Sequence, residues 1–168
     1  MVAEFGIDNW KVEELLAVYE ICFSASCVSR VGADQAIREL FTNYRLGLIS
    51  NGKTPFQERN FRALGFSDLF DCVIVSEAAG MRKPDTGIFH LGCSELDVSP
   101  DEAVFVGDNP TADIRGAQEA GLKTVFLPTE LNPICEGADV TCGDLSELPD
   151  AIKKLGEQDD TGNQLPNE

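Results

Sequence analysis

Four short apolar runs, each followed by a segment of helical character, occupy the middle of the chain. They read "YRLGLIS" at 44–50, "DCVIVSE" at 71–77, "DEAVFVG" at 101–107 and "LKTVFLP" at 122–128. Each is nearly continuous in apolar residues, the pattern of a strand covered on both faces, and strands that alternate with helices form parallel sheets. The expected fold class is therefore α/β, a doubly wound parallel sheet. A chain of 168 residues suffices for one such domain and falls short of two.

Helical expectations fill the intervals. After the first run, Thr54 and Gln57 stand in a capping-box pattern with Pro55 at the first helical position, and Gly65 closes the segment. A second helix is predicted from Pro84 through "KPDTGIFHLGCSELD", and a third over "PTADIRGAQEAG". A last one, "LSELPDAIKKLG", carries its lysines in the final turn. Upstream, Val12, Leu15, Leu16, Tyr19 and Phe23 have the spacing of an amphipathic helix with one buried stripe, and Ala36, Ile37, Leu40 and Phe41 mark another with Asp34 near its start. The organisation expected is a helical segment over 1–33, an α/β core over 34–156 and a polar, disordered tail over 157–168.

Composition narrows the function. With 13 basic and 29 acidic side chains the net charge is -16, which repels nucleic acid and anionic lipid. No apolar run approaches the roughly 20 residues of a membrane span, and the N-terminus lacks the look of a secretory signal, so a cytoplasmic protein is expected. The six cysteines, Cys22, Cys27, Cys72, Cys93, Cys135 and Cys142, have neither zinc-site nor disulfide-framework spacing and read as ordinary thiols.

Ligands of an open parallel sheet bind beyond the carboxyl ends of its strands. The loops there are "SNGKT", "SEAAGMRKPD", "GDNPTAD" and "PTELNP". Three of them bring a hydroxyl (Ser50), a lysine (Lys83) and two carboxylates (Asp108 and Asp113). That set suits a phosphoryl group with a hard cation: Mg²⁺ needs one or two carboxylates and keeps several waters, and a lysine supplies compact positive charge. Each loop also has a structural reading. Asn109 before Pro110 is a good N-cap, Ser50-Asn51-Gly52 is ordinary turn chemistry, and Lys83 before Pro84 suits a surface turn. His90 reads as packing or surface.

The segments "LGLISNG", "GMRKPDTGIF" and "VFVGDNPTADIRGAQEAGLKTVFL" resemble the second, third and fourth motifs of the haloacid dehalogenase-like hydrolase superfamily, in the subfamily with a helical cap after the first strand. The resemblance covers residues 34 to 155. It implies a Mg²⁺-dependent phosphatase of small phosphorylated metabolites. Ser50, with Asn51 and Gly52 beside it, would bind the phosphoryl group, Lys83 would balance its charge, Asp108 would ligate Mg²⁺, and Asp113 would support the metal waters or Lys83. Dehalogenation is less expected, because that branch does not need the metal.

The family's nucleophile lies in an Asp-x-Asp motif on its first strand, and no Asp-x-Asp occurs in this sequence. Asp8 is the candidate substitute, although Trp10 stands two residues on. The competing reading takes "FGIDNWKVEELLAVYEICF" as part of a cap. The resemblance then implies a weak or inactive enzyme, or alternatively a non-catalytic, truncated or divergent binding protein. In the family fold the first strand lies between the strands that end at Ser50 and Gly107. The gap is expected to be filled by the N-terminal segment, by a swapped element in a homo-oligomer or strand-swapped dimer, or by another chain, unless the two flanking strands pair directly.

Overall fold

The computed structural model describes residues 10–160, with side chains to residue 157. Asp8 and residues 161–168 lie outside the described residues. The element order is α1 (Val12–Ala25), α2 (Ala33–Phe41), β1 (Gly47–Ser50), α3 (Phe56–Ala63), β2 (Cys72–Val75), α4 (Ser76–Ala79), α5 (Thr86–Glu95), β3 (Val104–Gly107), α6 (Gly116–Glu119), β4 (Lys123–Phe126), β5 (Val140–Thr141) and α7 (Leu148–Asp160). A π-helical turn, Pro110–Arg115, leads from β3 into α6.

All described strand pairs are parallel, and the strands fall into two half-sheets. β1 pairs with β2 from Gly47↔Cys72 to Ser50↔Val75. β3 pairs with β4 from Val104↔Lys123 to Gly107↔Phe126, and β4 continues to β5. No ladder joins β1 to β3 among the described residues. The flanking strands therefore do not pair directly, because a cavity of about 680 Å³ separates them, lined by Gly47, Leu48 and Ile49 on one side and Val104, Phe105 and Val106 on the other.

What holds the halves in one body is helix packing on both faces. Alternation along each strand directs Leu48 toward α2 and α3, whose buried side chains include Ala33 and Phe61. Ile49 and Phe105 turn the other way and join Ile88, Phe89 and Cys93 of α5 with Ala117 of α6. Val104 and Val106 pack with Leu40 of α2 and with Leu148, Ala151 and Leu155 of α7. Phe89 meets Phe105 edge to face at 4.9 Å between ring centroids. At Gly92 an added Cβ would come within 2.9 Å of Ile49 Cδ1, so the missing side chain lets α5 lie close on β1.

Several sequence expectations are corrected here. The capping box at Thr54 and Gln57 does not form: Thr54 Oγ1 bonds to Glu58 instead, and the helix begins at Phe56 without a side-chain cap. The helix expected from Pro84 starts at Thr86, because Asp85 takes the cap and accepts the Gly87 N–H at 2.8 Å. α1 has no buried residue; Tyr19 and Phe23 pack against each other and against Phe56, and Val12 and Leu16 stay exposed. α7 runs on to Asp160, so Lys153 and Lys154 lie in its middle and not in its final turn. β5 was not expected, since two strand residues leave no periodicity to read.

Two predictions follow from this packing. Phe89 of α5 is fully buried against both half-sheets, so Phe89→Ala should lower the unfolding free energy by about 3–5 kcal/mol in urea titrations. Asp144 caps the turn before α7, and its hydrogen bonds from Ser146 hold its carboxyl below the usual range. A depressed folded-state pKa means that the stabilisation is present above the unfolded value and is lost as pH falls through the folded one. Melting curves from pH 6 to pH 3 should therefore lose less stability in Asp144→Ala than in the wild type.

Candidate functional site

The first, second and third loops meet at the carboxyl ends of β1 and β3. Lys83 lies in the second loop, yet its side chain reaches across the opening between the half-sheets. Its ammonium donates to Ile49 O of β1 at 3.0 Å, pairs with Asp113 Oδ1 at 2.7 Å, and stands 5.1 Å above the Phe105 ring of β3. Both partners are withdrawn from water, with side-chain exposures of 12% and 7%. Attraction between charges is far stronger here than on an exposed surface, and each charge depends on the other to offset its desolvation.

Backbone geometry fixes where the lysine starts. Asn51 Nδ2 donates to Lys83 O and Asn51 Oδ1 accepts from Lys83 N, both at 2.9 Å. This reciprocal pair ties the first loop to the second. Ser76 adds a tie, accepting from Gly52 N at 3.0 Å and donating to Gly52 O at 3.2 Å. At Gly116, an added Cβ would stand 2.9 Å from Pro84 Cα, so the head of α6 can rest against the Lys83-Pro84 turn.

Asp113 is positioned just as closely. Its Oδ2 accepts from Asp108 N at 3.2 Å and from Asn109 N at 3.0 Å, while Asn109 Oδ1 caps the π-helical turn through Thr111 N and Ala112 N. A Cβ on Gly107 would fall 2.4 Å from Asp113 Cβ, so only glycine allows the carboxylate to fold back over the end of β3. The Asp113 carboxylate is thus committed to Lys83 and to the loop amides. Asp108 differs: it is exposed, and its carboxylate makes no hydrogen bond or ion pair among the described residues. The Ser50 hydroxyl, on the strand end between Ile49 and Asn51, is likewise without a described hydrogen bond.

The structure therefore brings Ser50, Asn51, Gly52, Lys83, Asp108 and Asp113 to one edge of the fold. It moves His90 elsewhere, onto the outer side of α5 with Nε2 3.0 Å from Ala120 O. Among the described residues no three His, Cys, Asp or Glu side chains converge as a metal cluster. A hard cation with a largely aquated shell asks less than that: one free carboxylate at a loop, which Asp108 provides. Sequence reasoning missed Phe105, Gly107, Ser76 and Gly116. The glycine that ends the "VFVG" strand was the one visible signal, since a strand-terminal glycine often marks a close approach.

A family model for haloacid dehalogenase-like hydrolases matches residues 1–127. The chain belongs to this family. It is 36% identical over 105 residues to a phosphoserine phosphatase of Thermus thermophilus, covering 61% of this chain and 42% of the relative. To a glyceraldehyde 3-phosphate phosphatase of Methanothermobacter thermautotrophicus it is 34% identical over 116 residues, covering 65% and 51%. The crystal structure of a phosphatase of this family from Thermococcus onnurineus superposes with a TM-score of 0.72 at 28% identity, over 90% of this chain and 68% of that one. The chain spans about half the length of the curated relatives it matches.

The ion pair can be tested by itself. Lys83→Met leaves the Asp113 carboxylate buried without its counter-charge and should cost about 3–5 kcal/mol in urea unfolding. Lys83→Met combined with Asp113→Leu should cost less than the two single substitutions added together.

Proposed function

We propose that this chain carries the phosphoryl-binding and cation-binding side of a phosphatase that acts on small phosphorylated metabolites. The observation that supports it most is the Lys83 ammonium, held between Ile49 O and Asp113 at the mouth of the loops. On this reading Lys83 faces the phosphoryl oxygens and offsets their charge. The Ser50 hydroxyl and the amides of the Asn51-Gly52 turn donate hydrogen bonds to them. Asp113 orients Lys83, and Asp108 is the carboxylate that would hold Mg²⁺. When bound, the cation neutralises charge on a transferring phosphoryl group.

The relatives' names favour phosphate esters of small metabolites: one is a phosphoserine phosphatase and another a glyceraldehyde 3-phosphate phosphatase. The absence of Asp-x-Asp from the sequence favours a second reading, in which this chain binds phosphate and Mg²⁺ and turns substrate over weakly or not at all. Losing a nucleophile removes the covalent route, and the remaining binding groups supply only residual acceleration. Residues 1–33 would be part of a cap, and Asp8 would then take no part in the site.

Calorimetric titration of the full chain with Mg²⁺ and with inorganic phosphate separates these assignments. Mg²⁺ affinity should fall about tenfold or more in Asp108→Asn. Phosphate affinity should fall in Lys83→Met, and both should be unchanged in Asp8→Asn. Mg²⁺ binding indifferent to Asp108→Asn would overturn the metal assignment. Hydrolysis of phosphoserine or glyceraldehyde 3-phosphate that disappears in Asp8→Asn would instead make Asp8 the nucleophile and this chain an enzyme.

A further inference from the structure

We infer that Gln57, with Lys53 beside it, is a specificity-determining pair that binds a carboxylate carried by the substrate on the carbon chain beyond its phosphate. The inference rests on the phosphatase reading and narrows it to phosphate esters of small hydroxy acids. It begins with a residue that the fold leaves without its expected partner. Thr54 and Gln57 have capping-box spacing, and the box does not form, because Thr54 Oγ1 turns to Glu58. Gln57 lies instead on the turn that follows β1: an added Cβ on Gly52 would meet Gln57 Nε2, Cγ and Cδ, the last at 2.8 Å. The bare glycine leaves the space that this side chain fills.

The neighbouring polar groups are already engaged. Asn51 gives its carboxamide to both backbone groups of Lys83, and Ser76 bonds to Gly52. Thr54 gives its amide to Glu77 at 2.9 Å and its hydroxyl to Glu58. The Gln57 carboxamide, by contrast, is half-buried and makes no hydrogen bond among the described residues. It keeps a donor and an acceptor unspent. Lys53 is exposed and has no ion pair among the described residues. Gln57 N donates to Lys53 O at 3.0 Å, which closes the turn between them and keeps the two residues neighbours.

Position and charge together select the ligand. Both residues follow Ser50 at the carboxyl end of β1, where ligands of such a sheet bind. Gly52, on which Gln57 rests, is two residues from Ser50, a reach of at most about 7 Å, the length of a short carbon chain. An ammonium beside a carboxamide is a donor set for acceptor oxygens, and an anionic acceptor makes the stronger bonds. Glu58 and Glu77 border the same turn through Thr54. A second phosphate would bring two negative charges beside those carboxylates with one ammonium to offset them, whereas a carboxylate brings one. A neutral hydroxyl would leave the Lys53 charge unused.

The test titrates the full chain, by calorimetry, with 3-phosphoglycerate and with glycerol 3-phosphate, which has a hydroxymethyl group in place of the carboxylate. The wild type should bind 3-phosphoglycerate about tenfold or more tightly, and this ratio should fall to about two or less in Gln57→Leu and in Lys53→Met. Equal affinity of the wild type for the two esters would overturn the inference. So would a ratio that both variants keep while both affinities drop together, which makes the pair structural. Tighter binding of propane-1,3-diol bisphosphate than of 3-phosphoglycerate would overturn it in favour of a second phosphate. Inorganic phosphate separates this inference from the reading beneath it. Phosphate that binds and responds to Lys83→Met, with no preference between the esters, sinks the carboxylate site alone, while absence of phosphate binding sinks both.

Discussion

The Lys83–Asp113 ion pair is the contact on which the site's geometry depends. Its lysine is anchored by Asn51 to the loop after β1, and its aspartate is anchored by the amides of Asp108 and Asn109 to the turn after β3. Charge here does what a backbone ladder does elsewhere in the sheet: it fixes how far the end of β1 stands from the end of β3. Phe105 beneath the ammonium adds an attractive π-face without competing for its hydrogens.

Much of this was legible in the sequence because it is local. Continuous apolar runs announced parallel strands, and the position of a loop after a run identified Ser50, Lys83, Asp108 and Asp113 as neighbours. Asn109 before Pro110 announced its own cap. What could not be read depends on distances between segments far apart in the chain. Asn51 bonding both backbone groups of Lys83 is a relation across 32 residues, and no spacing encodes it. The closeness of Asp113 to Gly107 needed the π-helical turn, whose wider i→i+5 loop has no hydrophobic signature.

The errors have physical causes too. The stripe on α1 has the periodicity of a buried face, but periodicity shows only that one side is apolar. It does not say that a surface lies opposite, and α1 meets the rest of the chain through a narrow seam of Ser24–Asn60, Glu20–Arg59 and three rings. At Thr54 the box failed because its hydroxyl donates to the Glu58 carboxylate, a charged acceptor, instead of accepting from a backbone N–H of the helix.

Among the described residues the halves are joined by helices rather than by a ladder, which bears on how the fold comes apart. Each half-sheet closes over a short stretch of chain, β1 with β2 and β3 with β4, while α5 on one face and α2 with α7 on the other connect them. Cooperativity between the halves must pass through side-chain packing, which loosens by degrees more readily than a continuous hydrogen-bonded sheet. Two units of separate protection, one ending near Glu95 and one beginning near Val104, are the natural grain along which this fold opens.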